Sequence, residues 1–413
     1  MRIAFISYEA PPDTLIGGIG TYIGQAARLL ARRGHDVEVF AGSPHRAVTL
    51  QMDGYRANLI EAQRDDRAEF VERIGRVFAA RHAEVPFDVL EGPEFMAEAS
   101  AAKRLVPEIP LVLKLHMSMA LIERINRPPR TFVQRGKDAV KALLQPMLRL
   151  KRWEEKDWSE LERPHVLQAD EIVAPCRDIA EIEAAMWGLD RSRISIVPLP
   201  FVPTPDLIDV PVETDTQTVG YIGRLEQRKG VIDLAKAVPL VLPCFPKAKF
   251  LFAGSTLGSP VPKMEMREYL EQLLAPWKAN VTFTGHVPHD NITDVFRRID
   301  IAVLPSLWEN FPIACLEAMS AARGVIGSSA GGMAEQLDGG NAGILVPPRK
   351  PKQIAAAICE LLENPSRRKE LGRKARARVL ATYNAERVGE MMEQSYHRAI
   401  ERARSRTQAT VAA

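Results

Sequence analysis

Several things are scarce in this chain of 413 residues, and each scarcity narrows what it can be. The four cysteines, Cys176, Cys244, Cys315 and Cys359, stand far apart, with no C-x-x-C pair and no Cys/His cluster. That excludes a disulfide scaffold and a structural zinc site, and it fits a reducing compartment. No stretch approaches the roughly 18 apolar residues of a membrane-spanning helix. The opening apolar run, Met1 to Ser7, is too short for a signal-peptide core and reads as a first β-strand. These features point to a soluble, cytoplasmic protein, with a peripheral place on the inner face of a membrane left open. The formal net charge is only +3, too little to suggest nucleic-acid binding. There is no G-x-G-x-x-G after the first strand, and Val39-Phe40 runs into Ala41-Gly42 with no acidic residue closing the second. Both omissions weigh against a dinucleotide site. No Asp-x-Asp stands on a strand-end loop to hold a metal, and Asp65-Asp66 falls in a charged, helical stretch where solvated surface is the natural reading.

What is present is alternation. Short β-branched runs, at Ile3–Ser7, Val37–Phe40, Ala57–Ile60, Val89–Glu91, Leu111–Leu115, Ile172–Ala174 and Ile194–Val197, alternate with helical patterns such as Thr21–Arg33. Between Pro198 and Pro211 come five prolines and no helical period, which reads as a linker. The alternation then restarts, with strands expected at Val219–Ile222, Phe250–Ala253, Val281–Thr284, Ile301–Leu304, Val325–Ser328 and Ile344–Val346. Such repeats of strand and helix build parallel sheets, so the expected fold class is α/β, with two Rossmann-like domains facing across a cleft. The divisions are 1–198, a linker at 199–216, 217–384, and a crossover helix and tail at 385–413. A charged helix is expected from Ala385 to Arg404, and residues 407–413 should fray. Ligands of open parallel sheets bind beyond the carboxyl ends of the strands, so the loops there carry the candidates.

The loop after the first strand ends in Gly17-Gly18-Ile19-Gly20 and opens a helix. Glycines let backbone approach a ligand, and a helix N-terminus favours an anion; an ordinary glycine-rich turn has the same composition. The strand Val219–Ile222 runs into Gly223-Arg224, and Lys229-Gly230 follows. Arginine as a planar fork and lysine as a point charge suit a diphosphate, while Arg228 between them reads as a solvated bystander. The strand Ile301–Leu304 runs into Pro305-Ser306-Leu307-Trp308-Glu309-Asn310-Phe311-Pro312-Ile313, and Glu317 stands eight residues after Glu309. Pro312 is expected in the first turn of the next helix, which puts Glu317 a little over one turn in. Carboxylates accept hydrogen bonds from sugar and ribose hydroxyls, although a helix-start and a surface glutamate would read alike.

Taken in order along the chain, these motifs resemble the retaining glycosyltransferases of family four. The set includes Gly17-Gly18, the strand-end His116, Gly223-Arg224 with Lys229-Gly230, the E-x7-E element Glu309 to Glu317, and Gly331-Gly332-Met333-Ala334-Glu335. The resemblance covers nearly the whole chain and implies the GT-B architecture, a nucleoside-diphosphate sugar as donor and no cofactor or metal. It implies that Arg224 and Lys229 hold the donor diphosphate, that Glu309 binds hydroxyls of the transferred sugar, and that Glu317 binds the ribose. Asn310, Phe311 and Ile313 join the donor contacts, Gly17 and Gly18 meet the diphosphate across the cleft, and His116 lies by the reacting sugar. Glu335 is expected to support the donor loop from behind. Many relatives carry glycine where this chain has Asn310 and Pro312, which bears on donor preference.

For the acceptor, a glycan, a lipid-linked sugar or a small molecule, Glu91-Gly92-Pro93-Glu94-Phe95 and His116-Met117-Ser118 are strand-end candidates. Residues 123–152 hold nine Lys or Arg against two acids, with Val140, Leu143, Leu144, Met147 and Leu148 at helical spacing. Such a segment suits an anionic membrane surface or an amphipathic helix packed on its own domain. A non-catalytic sugar-nucleotide binder and a sugar-nucleotide epimerase on the same fold remain the rival readings.

Overall fold

The computed structural model describes residues 1–14, 17–126 and 158–412; most of the basic segment 123–152 therefore lies outside the described residues. Among those described, the chain forms two sheets. The first contains β1 (Arg2–Ile6), β2 (Asp36–Ser43), β3 (Val48–Gln51), β4 (Arg56–Glu61), β5 (Val89–Pro93), β6 (Leu111–Lys114), β7 (Glu171–Ala174) and β8 (Ile194–Ile196), in spatial order 3-4-2-1-5-6-7-8. The second contains β9 (Thr218–Ile222), β10 (Lys249–Ala253), β11 (Val281–Gly285), β12 (Ile301–Leu304), β13 (Gly324–Ser328) and β14 (Ile344–Val346), in order 11-10-9-12-13-14.

Every pairing is parallel except that of β3 with β4. The inner strands are buried along almost their whole length, as in β5, β6, β12 and β13. Strands covered by helices on both faces need continuous apolar runs, and that is why they stand out in the sequence. β3 escaped that reading. Its Val-Thr-Leu-Gln alternates between half-buried and exposed, because an edge hairpin has only one covered side.

Each sheet reverses its winding once. In the first, the chain proceeds outward from β1 through β2, then restarts on the other side at β5; in the second, the reversal lies between β9 and β12. At such a switch point the two loops at the strand ends diverge and leave a crevice. The loops in question follow β1 and β5 in the first lobe, and β9 and β12 in the second. The candidate residues Gly17, Arg224, Lys229 and Glu309 all lie on them.

The proline-rich stretch between the lobes is pinned to the second. Arg376 donates to the Val210 carbonyl at 2.6 Å, and Arg368 to that of Thr214 at 2.7 Å. The last helix, Ala385–Ala412, crosses back onto the first lobe. Arg33 holds Glu393 through two bonds of 2.7 and 2.9 Å, and Arg398 reaches the fully buried Glu171 at 2.9 Å. The helix continues past residue 407 to Ala412, and Arg406 is anchored on Asp170. Asp66, read as part of a helical stretch, instead caps the helix Arg67–Glu84 by accepting from the Glu69 N–H at 3.1 Å.

Candidate functional site

The loop after β9 is held down by Leu225, which is buried and whose N–H bonds the Ser255 carbonyl at 2.7 Å. A single tight turn, Gln227–Lys229, follows, and Gly230 closes it at φ +71°. A methyl at Gly230 would stand 1.9 Å from the Pro305 carbonyl oxygen, so only glycine lets this loop lie against the one after β12. The contact brings Lys229 Nζ to 2.6 Å from Glu309 Oε1.

Arg228 reaches the same oxygen at 2.6 Å and bonds Glu226 at 3.1 Å. Its side chain is 12% exposed. The solvated-bystander reading of Arg228 is therefore corrected: the turn rotates it inward beside Lys229. Burial opposes the charged form of Glu309, but Lys229 and Arg228 outweigh that and keep its carboxyl below the ordinary range. Arg224 stays more open, 41% exposed, with Glu226 at 3.3 Å. Three cations thus surround two carboxylates at the second switch point.

The backbone of Glu309 is fixed as firmly as its side chain. Its carbonyl accepts from the Gly332 N–H at 2.8 Å, and it forms a bridge with Gly331, whose φ is +85°. Beyond it, Pro312 sits at the N-cap of the helix Ile313–Ser320 rather than in its first turn, with extended backbone at ψ 121°. Ile313 is the first helical residue, half-buried, and Glu317, the fifth, is buried. Phe311 turns into the core, its ring edge-on to Tyr383 at 5.4 Å. These residues stand around Glu309, and Lys229 and Arg228 are bonded to its carboxylate.

In the first lobe, Gly17 is the extended N-cap of the helix Gly18–Arg32. A methyl there would lie 2.7 Å from Glu9 Oε2, whereas at Gly18 the space is open. Glu9 was not singled out from sequence. It is nearly buried, with Arg64 and Arg67 at 3.8 and 3.9 Å. Burial raises its carboxyl above the ordinary range, against the pull of Arg67, Arg64 and Arg224.

His116 follows β6. Its N–H bonds both oxygens of the buried Glu94, at 2.7 and 2.8 Å, and its ring meets Tyr22 edge-on at 5.1 Å. Desolvation and then the Lys114 charge push its pKa down to about 3, so at neutral pH the imidazole is uncharged. Lys114 bonds the Val197 carbonyl, and Glu91 is taken by the hydroxyls of Tyr22 and Tyr396. The acceptor reading of Glu91 and Glu94 is corrected accordingly: both point into the lobe, because strand-end position fixes where a residue stands and not which way it faces. Ser118 is likewise buried, bonded to Glu183 at 2.8 Å.

The two lobes touch where the loop after β12 meets the ends of β6 and β7. Asn310 Nδ2 donates to the carbonyls of Leu115, at 3.2 Å, and His116. Cys176 Sγ lies 3.3 Å from the Asn310 carbonyl oxygen, and Trp308 Nε1 donates to Asp178 at 2.7 Å. The Glu335 carboxylate accepts from the Arg177 N–H, so it braces the first lobe. Cys176 and Asp178 carried no signal of their own in the sequence, since their partners lie more than a hundred residues away.

Residues 17–200 match the glycosyl transferase 4-like domain, and residues 207–378 match the glycosyl transferases group 1. The chain is 26% identical over 424 residues to glycogen synthase of Mycobacterium tuberculosis, spanning 96% of this chain and 94% of that one. In three dimensions it resembles sucrose-phosphate synthase from Thermosynechococcus elongatus (TM-score 0.74, 21% identity, 96% and 98% covered). It also resembles Anabaena HepE in complex with UDP (TM-score 0.70, 16% identity, 96% and 99% covered).

Proposed function

We propose that this chain, which belongs to the family-four, group 1 glycosyltransferases and has their GT-B fold, moves a hexose from a nucleoside-diphosphate sugar to an acceptor hydroxyl. The acceptor is a glycan, a lipid-linked sugar or a small molecule. Anomeric configuration is retained, and no metal takes part. The observation that carries the reading is the preformed Lys229–Glu309–Arg228 group at 2.6 Å, on the two loops of one switch point.

A departing diphosphate needs positive charge placed before the bond breaks. Arg224 is the most open of the three cations and Lys229 follows in the same loop, so these two supply that charge. When Lys229 turns to the diphosphate, Arg228 stays on Glu309 and keeps it ionised, ready to accept hydrogen bonds from the sugar. Glu317 takes the ribose, and Gly17-Gly18 approach the diphosphate from the first lobe. His116, neutral, offers hydrogen bonds to the sugar rather than a charge. The leaving diphosphate, on the same face as the incoming hydroxyl, assists its deprotonation.

The test is thermal unfolding of the whole protein with UDP, GDP, ADP and NAD, for the native chain and Lys229→Ala. UDP comes first because the HepE complex contains it. A ligand at a hundred times its dissociation constant stabilises by about 2.7 kcal/mol. Stabilisation by one nucleoside diphosphate, lost in Lys229→Ala, is expected. Stabilisation by NAD alone, or by none of the four, would refute the reading.

A further inference from the structure

We propose that Asn310 is a positioning residue that clasps the two lobes together, setting the donor-sugar loop and the His116 loop in one register across the cleft. The inference rests on the reading of that cleft as a transferase site, but its first test needs no substrate.

Two consecutive residues of the loop after β12 face opposite lobes. Glu309 is bonded within the second lobe by Lys229 and Arg228. Asn310 bonds outward, its amide nitrogen donating to two carbonyls of the first lobe, those of Leu115 and His116. An amide NH2 has two protons to give, and the opposite strand end presents two carbonyls. The match is complete, and it is made out of water, since Asn310 is only 9% exposed. The return contact comes from Cys176, whose sulfur lies 3.3 Å from the Asn310 carbonyl and 3.6 Å from its Oδ1. Burial lifts this thiol to about 12, so it keeps its proton and can donate.

The neighbours repeat the pattern. Residues 176, 177 and 178, at the end of β7, each bond a residue of the second lobe: Asn310, Glu335 and Trp308. Each sheet nonetheless has an apolar layer wholly within its own lobe, one around Phe40, Phe70 and Phe78 and another around Phe250, Val303 and Leu361. A larger apolar cluster, with Leu115 and Phe311 among its members, is shared by both lobes, so breaking the clasp should let the lobes open about that seam without unfolding either. His116 is the residue that feels it. Glu94 holds its N–H and Asn310 its carbonyl, so the imidazole is placed from both sides, once by each lobe.

The decisive variant is Asn310→Asp in the full chain. It has the same shape, but a carboxylate has no proton for the two carbonyls and is repelled by them. Asn310→Ala removes the contact without repulsion and serves if the first variant does not fold. Small-angle X-ray scattering on protein without ligand should show a larger radius of gyration for Asn310→Asp than for the native chain, with Asn310→Ala between them. Turnover at saturating donor should fall about a hundredfold, as for a misplacement of about 1 Å, while UDP affinity changes less than about twofold.

Identical scattering from all three proteins would overturn the clasp. A loss of UDP affinity that matches the loss of turnover would overturn it as well, because Asn310 would then be a donor contact. If the native protein binds no nucleotide, the functional reading fails, and the scattering comparison still decides the clasp.

Discussion

Arg228→Met isolates the group that separates the loop after β9 from a merely basic one. Methionine keeps much of the apolar stem and removes the fork that bonds Glu309 at 2.6 Å and Glu226 at 3.1 Å. Removing one partner of a buried ion pair costs about 3–5 kcal/mol when the other charge is left alone. Here Lys229 still reaches Glu309 at 2.6 Å and Arg224 still reaches Glu226 at 3.3 Å, so neither carboxylate is left alone and the loss is that of two charge-assisted hydrogen bonds, about 3 kcal/mol or more. Chemical denaturation at pH 7 measures it.

The pH dependence tests the cause. Glu309 is held below the ordinary carboxyl value, so the stability it confers is present above that value and fades as pH falls through its lowered one. The gap between native and variant should therefore be full at neutral pH and close as Glu309 takes up its proton in acid. In the variant Lys229 must neutralise Glu309 unaided, which on the proposed reading leaves it less free for the diphosphate. Nucleotide affinity, read by titration calorimetry, should drop about tenfold, which is about 1.4 kcal/mol. A stability gap that stays constant as pH falls from 7 until Glu309 is protonated would mean that Arg228 acts by packing, and the charge argument would be wrong.

Two further outcomes follow from groups already placed. His116, pushed down to about 3 from an ordinary 6.5, should show no imidazole titration by NMR between pH 5 and 8; keeping it neutral stabilises the fold above 6.5, and that contribution is lost as pH falls towards about 3. A resonance titrating near 6.5 would remove the neutral-imidazole role. The basic segment 123–152, with a local net charge of +7, should carry the protein down with anionic liposomes and not with neutral ones. Equal sedimentation with both would leave the segment without a membrane role.

Much of the fold is legible because parallel strands buried on both faces must be short and continuously apolar. Ile301–Leu304 reads as a strand from sequence and is one. β3 is invisible for the converse reason, since a half-covered edge tolerates Thr49 and Gln51. The switch-point loops are legible from glycines and charges at strand ends. What sequence does not supply is rotation. Arg228 and Lys229 are adjacent and chemically alike, yet the tight turn Gln227–Lys229 decides that both face Glu309. Glu91 and Glu94 stand where a ligand group would stand, and they face the interior. Asn310 is 194 residues from His116, and no local pattern can report a contact at that distance.

A carboxylate, and not a cation, is the organising group of the loop after β9. Three basic side chains close together repel, and without an anion the loop would hold them apart. Glu309 gathers Lys229 and Arg228 onto a single oxygen, and Glu226 does the same for Arg228 and Arg224. Two of the three positive charges are thus offset from within, and on the reading proposed above a diphosphate would exchange with Glu309 for Lys229 rather than meet a bare positive pocket. Affinity then depends on the difference between two anions competing for one lysine. On the proposed reading, a loop built this way would admit a diphosphate that also satisfies Glu309 with hydroxyls, and would gain less from a free inorganic anion that leaves the carboxylate unpaired.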